Sequence, residues 1–160
     1  MKGVDVAIGL SGPNTISKET VKAMNLKPIV FALANPTPEI FLKDAYEEGA
    51  FIVATGKSDF PNQINNSVVF PGLFRATIDT RAPKIIMERK VVAGEAIANL
   101  VSKEELRPDY IISSALNIIT SVWVATDVAK LVLEKGLTKK TNVDLDKLRK
   151  IFIHSSLMKN

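Results

Sequence analysis

Hydrophobic residues in the first third of the chain occur in short, uninterrupted runs separated by polar and turn-forming segments. The runs read VDVAIGL at residues 4–10, IVFALA at residues 29–34 and FIVAT at residues 51–55. Short runs that are continuously apolar, rather than alternating, are typical of parallel strands that are covered on both faces. The pattern therefore predicts three buried strands.

Two segments between these runs carry a helical pattern instead. Residues 17–25 start at Ser17, a suitable N-cap, and residues 39–48 end at Gly49, a common stop signal. The order strand, helix, strand, helix, strand predicts an α/β fold, in which right-handed crossovers build a parallel sheet of about three strands with flanking helices.

The pattern becomes helical after residue 66. Helices are predicted at residues 73–80, 85–101 and 118–135, with breaks at Pro83 and Pro108 and a stop at Gly136. Residues 137–160 carry a weaker amphipathic pattern. The sequence thus predicts a helical C-terminal portion after the sheet.

Candidate chemistry lies where the predicted strands end, because parallel sheets bind ligands at the carboxyl ends of their strands. The loops there are residues 11–14, 35–38 and 56–66, and the third is rich in Asn and Gln. Each amide side chain offers both a donor and an acceptor, which suits carboxylates, hydroxyls or a cofactor amide. Taken alone, each loop is better explained as a tight turn whose side chains bond to local backbone.

Composition narrows the function classes. The 160 residues are 46% hydrophobic, enough for one globular domain, and contain no cysteine and one histidine, His154. Disulfides and thiolate metal sites are excluded, and a histidine-rich zinc site or a Ser-His-Asp triad is not expected. Neither G-x-G-x-x-G nor G-x-x-x-x-G-K-[ST] occurs, so the usual pyrophosphate loops are missing.

The net charge of +4 lies entirely in the C-terminal part of the chain. Residues 127–160 hold eight basic and four acidic side chains, whereas residues 1–126 hold thirteen of each. This tail lacks the interleaved aromatic residues that would stack on bases, so no nucleic-acid partner is expected. No apolar run is long enough to span a membrane and no signal peptide is evident, so a cytoplasmic protein without membrane contact is expected.

Three segments together resemble the malic enzyme family, in its compact and mainly prokaryotic form. They read FALANPTPE at residues 31–39, ATGKSDFPNQINN at residues 54–66 and FPGLFR at residues 70–75, and DVAIGLSGP at residues 5–13 resembles the family's preceding strand and loop. The resemblance implies that residues 1–136 are the C-terminal part of a Rossmann-type NAD(P)-binding domain, and that residues 137–160 are a basic tail.

The resemblance also implies an activity, the oxidative decarboxylation of malate to pyruvate and CO2 with NAD or NADP and with Mg or Mn. Asn35 and Asn65 match family positions that contact malate or the nicotinamide end of the cofactor, and Asn66, which is adjacent to Asn65, is expected to contact the substrate as well. Ser11, Gly12, Asn35 and Asn65 are expected to border the cofactor. Such amides could orient malate so that the hydrogen on its C2 faces the nicotinamide, which is catalysis by positioning.

The family's catalytic Tyr and Lys and its three acidic metal ligands lie upstream of the matched segment. We therefore expect no catalytic residue and no metal ligand in this chain, and no activity from the chain alone. The alternative is a non-catalytic remnant or subunit module that binds a nucleotide or a partner polypeptide. A sheet cut from a larger one has a bare edge, so a homo-oligomer or pairing with the missing upstream half is expected.

Two segments depart from the family pattern. Arg89-Lys90-Val91 stands where the family usually has a Met-Lys-Leu-type segment, and residues 113–120 read SSALNIIT where a loop with Asp and Arg is usual. The charged partners of that loop are missing, which affects the expected subunit or cofactor contacts there.

Overall fold

The secondary-structure elements fall into two sets along the chain. The computed structural model describes residues 1–138 and 143–157. Unit 1 contains Met1–Asn65 and Lys103–Ile112, and unit 2 contains the described residues of Asn66–Ser102 and Ser113–Asn160. Residues 139–142 and 158–160, which belong to the expected basic tail, lie outside the described residues.

Unit 1 is the predicted α/β part. Its elements in chain order are β1 (Val6–Gly9), α1 (Lys18–Lys22), β2 (Ile29–Ala32), α2 (Leu42–Glu47) and β3 (Ile52–Thr55). The strands are parallel in the order β1-β2-β3, with Val6 opposite Ile29 and Ile29 opposite Ile52. The predicted three-strand parallel sheet is confirmed.

The helix boundaries of unit 1 follow the capping residues in part. The Ser17 side chain accepts a hydrogen bond from the Thr20 N–H at 3.3 Å, as an N-cap does. Gly49 follows α2 with φ at +93°, a conformation that favours glycine at this stop. The prediction that the second helix begins at residue 39 is wrong, because α2 begins at Leu42 and Glu39 lies in the preceding loop.

The two faces of the sheet differ. Ala7, Val30 and Val53 are buried in a core shared with α1 and α2. On the other face, Val6 is 44% exposed and Ile8 is 61% exposed. The expectation that both faces are covered is therefore wrong for β1 within the described residues, since the helices of unit 1 pack on one face.

Unit 2 is helical, as predicted. A 3-10 turn (Asn66–Val68) precedes α3 (Phe70–Asp79), α4 (Met87–Ala98), α5 (Ile118–Glu134) and α6 (Leu145–Leu157). The helix predicted at residues 85–101 is shorter at both ends than expected. Of the helices in the described part, none combines the length and the apolar character that crossing a bilayer requires.

Close packing of α3 on α5 depends on a glycine. A Cβ added to Gly72 would lie 2.6 Å from the Ser121 carbonyl oxygen and 2.7 Å from the Val124 Cβ. The core around this contact consists mainly of alanines and valines from α3, α4 and α5. Small side chains therefore let the helix backbones of unit 2 approach one another.

Candidate functional site

Three loops leave the carboxyl ends of the strands side by side in unit 1. We call them the strand-end loops: residues 10–15 after β1, residues 33–39 after β2 and residues 56–65 after β3. The Leu33 N–H donates to the Gly9 carbonyl at 3.1 Å. A Cβ on Gly56 would lie 3.3 Å from the Leu33 carbonyl oxygen. The backbones of successive loops are thus immediate neighbours where they start.

A buried carboxylate joins the first two loops. The Glu39 side chain is 0% exposed, and its Oε1 and Oε2 accept hydrogen bonds from the Ser11 N–H and the Ala34 N–H, each at 2.9 Å. Sequence reasoning missed this residue, because an acid at the start of a predicted helix is ordinarily solvated. One signal was available: Glu39 stands between two apolar residues, Pro38 and Ile40.

The ionised form of Glu39 is favoured by its surroundings. Burial alone would raise the pKa of this carboxyl, but the backbone N–H groups of Ala34 and Ser11 outweigh it and lower the pKa below its ordinary value. The group therefore holds a negative charge at neutral pH while both of its oxygens are hydrogen-bonded.

The loop after β1 presents open backbone. Ser11 is exposed, and its hydroxyl hydrogen-bonds the Thr15 hydroxyl at 2.9 Å, while Thr15 donates to the Gly12 carbonyl at 2.9 Å. No heavy atom lies within 4 Å of the position that a Gly12 Cβ would take, outside its chain neighbours. A ligand could therefore approach the Gly12 backbone closely.

The loop after β2 presents a side-chain amide. Asn35 is exposed, follows Ala34 directly and is joined to Pro36 by a cis peptide bond. Among the described residues, no hydrogen bond is formed by its side chain. The Asn35 amide keeps its two donors and its acceptor for a ligand.

The loop after β3 divides the predicted amide cluster. Asn62 is buried, and its side chain donates to the Val53 carbonyl at 3.1 Å and the Pro108 carbonyl at 2.7 Å, and accepts from the Ile111 N–H at 2.9 Å. It has φ at +56°, a conformation that Asn tolerates. Asn62 is therefore structural, but two of its three partners lie in the distant segment at residues 108–111 rather than in the local turn.

Asn65 and Asn66 occupy different surroundings from Asn62. The Asn65 side chain is partly exposed and donates to the Gly56 carbonyl at 3.0 Å, which fixes it against the end of β3. Asn66 is exposed at the first position of the 3-10 turn and belongs to unit 2. Ser11, Gly12, Asn35 and Asn65 thus lie on the strand-end loops of unit 1.

The donor set of these loops suits an organic ligand rather than a metal ion. Backbone N–H groups and amides match carboxylates, hydroxyls and a carboxamide. Within residues 1–138 and 143–157, no three acidic or histidine side chains are grouped as metal ligands. The residues present therefore fit a dinucleotide and its substrate, and they do not fit a divalent metal.

Comparison with known proteins gives concordant matches. A family sequence model described as "Malic enzyme, NAD binding domain" matches residues 3–133. The chain is 49% identical over 137 residues to a bifunctional malic/malolactic enzyme of Bacillus subtilis, covering 86% of this chain and 33% of that protein. It is 45% identical over 141 residues to an NAD-dependent malic enzyme of Geobacillus stearothermophilus, covering 88% of this chain and 29% of that one.

A solved structure matches over nearly the whole chain. The crystal structure of malic enzyme from Pyrococcus horikoshii superposes with a TM-score of 0.89 and 40% identity, covering 98% of this chain and 36% of that one. The chain therefore spans about a third of the length of these relatives.

Proposed function

The chain belongs to the malic enzyme family, and we propose that its strand-end loops form one side of a site for NAD or NADP and for malate. The observation that carries this proposal is the placement of Ser11, Gly12, Asn35 and Asn65 at the carboxyl edge of one parallel sheet. That edge is where such sheets bind their ligands.

The Gly12 backbone and the side-chain amides of Asn35 and Asn65 can bind and orient a ligand, and such groups do not act as general acids or bases at neutral pH. The exposed Asn35 amide can donate to a malate carboxylate and accept from its hydroxyl, while the open Gly12 backbone can border the cofactor. Asn65, held by Gly56, presents a second amide at the same edge. The expected substrate contact of Asn66 stays a prediction from the family resemblance. When bound, NAD(P) would supply the hydride acceptor, and the strand-end loops would align C2 of malate with it.

A direct test measures binding of NADH to the purified chain by its fluorescence. Asn35→Asp is nearly isosteric but places a negative charge beside an anionic ligand. We expect affinity for NADH to fall by about tenfold or more, the equivalent of about 1.4 kcal/mol. Asn117→Asp is the matched control, because Asn117 caps α5 and Asp caps equally well. Absence of NADH binding by the unaltered chain would contradict the proposal.

A second test concerns the full reaction. We expect no malate-dependent formation of NADH or NADPH from the 160-residue chain alone, since the family's proton-transferring Tyr and Lys and its Mg or Mn ligands match none of its residues. Adding a polypeptide that carries the rest of a malic enzyme should restore turnover. NADH binding without restored turnover would favour the alternative, a non-catalytic module that binds a nucleotide or a partner.

The partner and location belong to the same proposal. Within the described residues, β1 has a strand neighbour on one side only, and Val6 and Ile8 leave an apolar face open beside that edge. We propose that the upstream part of a malic enzyme or a second copy of the chain covers this edge in the cytoplasm. Two results together would contradict this proposal. The chain would be strictly monomeric in light scattering at high concentration, and it would show no association when mixed with the upstream polypeptide.

A further inference from the structure

Glu39 bonds to two strand-end loops that nothing else joins through a side chain in the described part of unit 1. Its oxygens accept from the N–H of Ser11, 28 residues earlier, and from the N–H of Ala34, five residues earlier. Ser11 precedes Gly12, and Ala34 precedes Asn35. The carboxylate therefore helps to set the distance between two groups of the site proposed above, together with backbone hydrogen bonds such as that from the Asn14 N–H to the Pro38 carbonyl at 3.2 Å.

Packing alone would not call for a carboxylate at this position. Glu39 is the only acidic side chain among the described residues that is fully buried. A buried charge is costly unless hydrogen bonds satisfy it, and N–H bonds to an ionised oxygen are stronger than neutral ones. A glutamine could accept through one atom only, because its second terminal atom is a donor. The double acceptor is what these two N–H groups require.

The strand beside Glu39 is shaped to admit it. A Cβ on Gly9 would lie 2.5 Å from the Glu39 Cδ and 2.7 Å from its Oε1. Gly9 is the last residue of β1, so the absence of a side chain there lets the carboxylate reach the Ser11 N–H. The hydrogen bond between Glu39 and the Ser11 N–H therefore depends on the glycine at position 9.

We propose that Glu39 is a positioning residue, which holds the Ser11–Gly12 and Asn35 segments at the spacing that the dinucleotide and malate require. This role rests on the proposed function. Glu39 touches no reacting atom in it, and the lowered pKa of its carboxyl ensures that both oxygens accept throughout the neutral range.

The positioning role can be tested without any ligand. In Glu39→Gln, we expect the amide of Ser11 or Ala34 to exchange its hydrogen about tenfold faster or more, since a hydrogen bond to a charged group is lost. The Leu33 amide, which bonds to Gly9 instead, should keep its protection. Unchanged exchange at both Ser11 and Ala34 would overturn the proposal.

Measurements of NADH binding then test whether the Glu39 hydrogen bonds matter for the proposed site. Glu39→Gln should weaken the binding of NADH about tenfold. Val30→Ala, a truncation in the buried core of the same sheet, should lower the stability of the fold without weakening the binding of NADH. Equal losses of affinity in both variants would show a merely structural role and overturn the proposal. If the unaltered chain binds no NADH, the proposed function fails, while the exchange measurement still decides the role of Glu39 in the loops.

Gly9→Ala provides a second variant if Glu39→Gln does not fold. The added methyl displaces the carboxylate while leaving its charge, so the same faster exchange at Ser11 or Ala34 is expected. Normal protection at both amides in a folded Gly9→Ala protein would count against the proposal.

Discussion

Unit 1 and unit 2 use their buried polar side chains differently. In unit 1, Glu39 and Asn62 bond to backbone groups as far as 28 and 49 residues away. In unit 2, Thr80 and Thr126 bond to carbonyls four residues back in their own helices. Glu39 and Asn62 therefore hold loops of unit 1, whereas these two threonines of unit 2 are satisfied within their own helices. Arg89 is the exception in unit 2, since its guanidinium donates to the Leu137 carbonyl 48 residues away.

This difference follows from what each unit has to hold in place. Loops have no repeating hydrogen-bond pattern of their own, so side chains that accept or donate over long sequence distances must fix them. Helices satisfy their backbone internally and need only apolar contact, which the small residues of α3, α4 and α5 supply. Polar substitutions should therefore damage unit 1, and changes in volume should damage unit 2.

The largest effect is expected from a methyl group in unit 2. Gly72→Ala places a Cβ against the Ser121 carbonyl oxygen, which is rigid helix backbone, so α3 and α5 must move apart. We expect a loss of about 3 kcal/mol in the free energy of unfolding, measured by urea denaturation. Gly94→Ala is the control, because its Cβ meets nothing within 4 Å and alanine favours a helix. Similar free energies of unfolding for the two variants would contradict the idea that side-chain volume limits the packing of unit 2.

A somewhat smaller loss is expected from a polar truncation in unit 1. Asn62→Ala removes the hydrogen bonds to Val53, Pro108 and Ile111, and should cost about 2 kcal/mol. Asn62→Gly removes the same bonds but relieves the left-handed φ of +56°. It should therefore be the milder of the two in denaturation. A stability equal to that of the unaltered protein in both variants would refute the long-range role of Asn62.

A modest gain in stability is expected when the buried cation of unit 2 is replaced by an apolar side chain. Arg89 is 1% exposed and bonds to the carbonyls of Lys84 and Leu137, while its Nε has no hydrogen-bond partner among the described residues. Arg89→Met keeps most of the apolar length without the desolvated charge, and should raise the free energy of unfolding by about 1 kcal/mol. Arg89→Ala should lower it, since volume is lost. Destabilisation by Met as large as by Ala would contradict this comparison.

The smallest effect is expected from acid on unit 1. Because folding lowers the pKa of Glu39, its contribution to stability is present above the unfolded value of 4.5 and is lost as the pH falls through the lower folded value. Amide exchange of Ser11 and Ala34 should accelerate relative to that of Leu33 as the pH falls through the lowered folded pKa of Glu39. In Glu39→Gln this relative acceleration should be absent. If the relative acceleration persists in Glu39→Gln, a carboxyl other than Glu39 causes it.

The order of elements and the placement of the candidate loops at the sheet edge could be predicted from the sequence, because each depends on local signals. Apolar runs at residues 29–34 and 51–55 mark strands wherever they are packed, and the Ser17 cap and the Gly49 stop act within one helical turn. Asn35 follows a strand directly, so its place at the sheet edge follows from the parallel order. The assignment of ligand contacts to these residues stays a prediction.

The role of a polar side chain could not be read in the same way. Asn62 and Asn65 stand three residues apart in one polar loop, yet Asn62 is buried and bonded to residues 108 and 111 while Asn65 is partly exposed. Nothing within the loop distinguishes them, because two of the three partners of Asn62 lie more than forty residues away in the chain. Similarly, the sequence around Glu39 is typical of a solvated acid in the first turn of a helix. Its burial becomes evident only when β1 and β2 lie beside each other in the structure.

By itself, the sequence determined the α/β pattern, the family and the loops that carry the candidate groups, since apolar runs, caps and short motifs are local properties. Only the tertiary structure decided that one face of β1 stays open, that Asn62 is structural and that Glu39 joins the loops after β1 and β2. The physical reason is that burial and hydrogen-bond pairing depend on which distant segments meet.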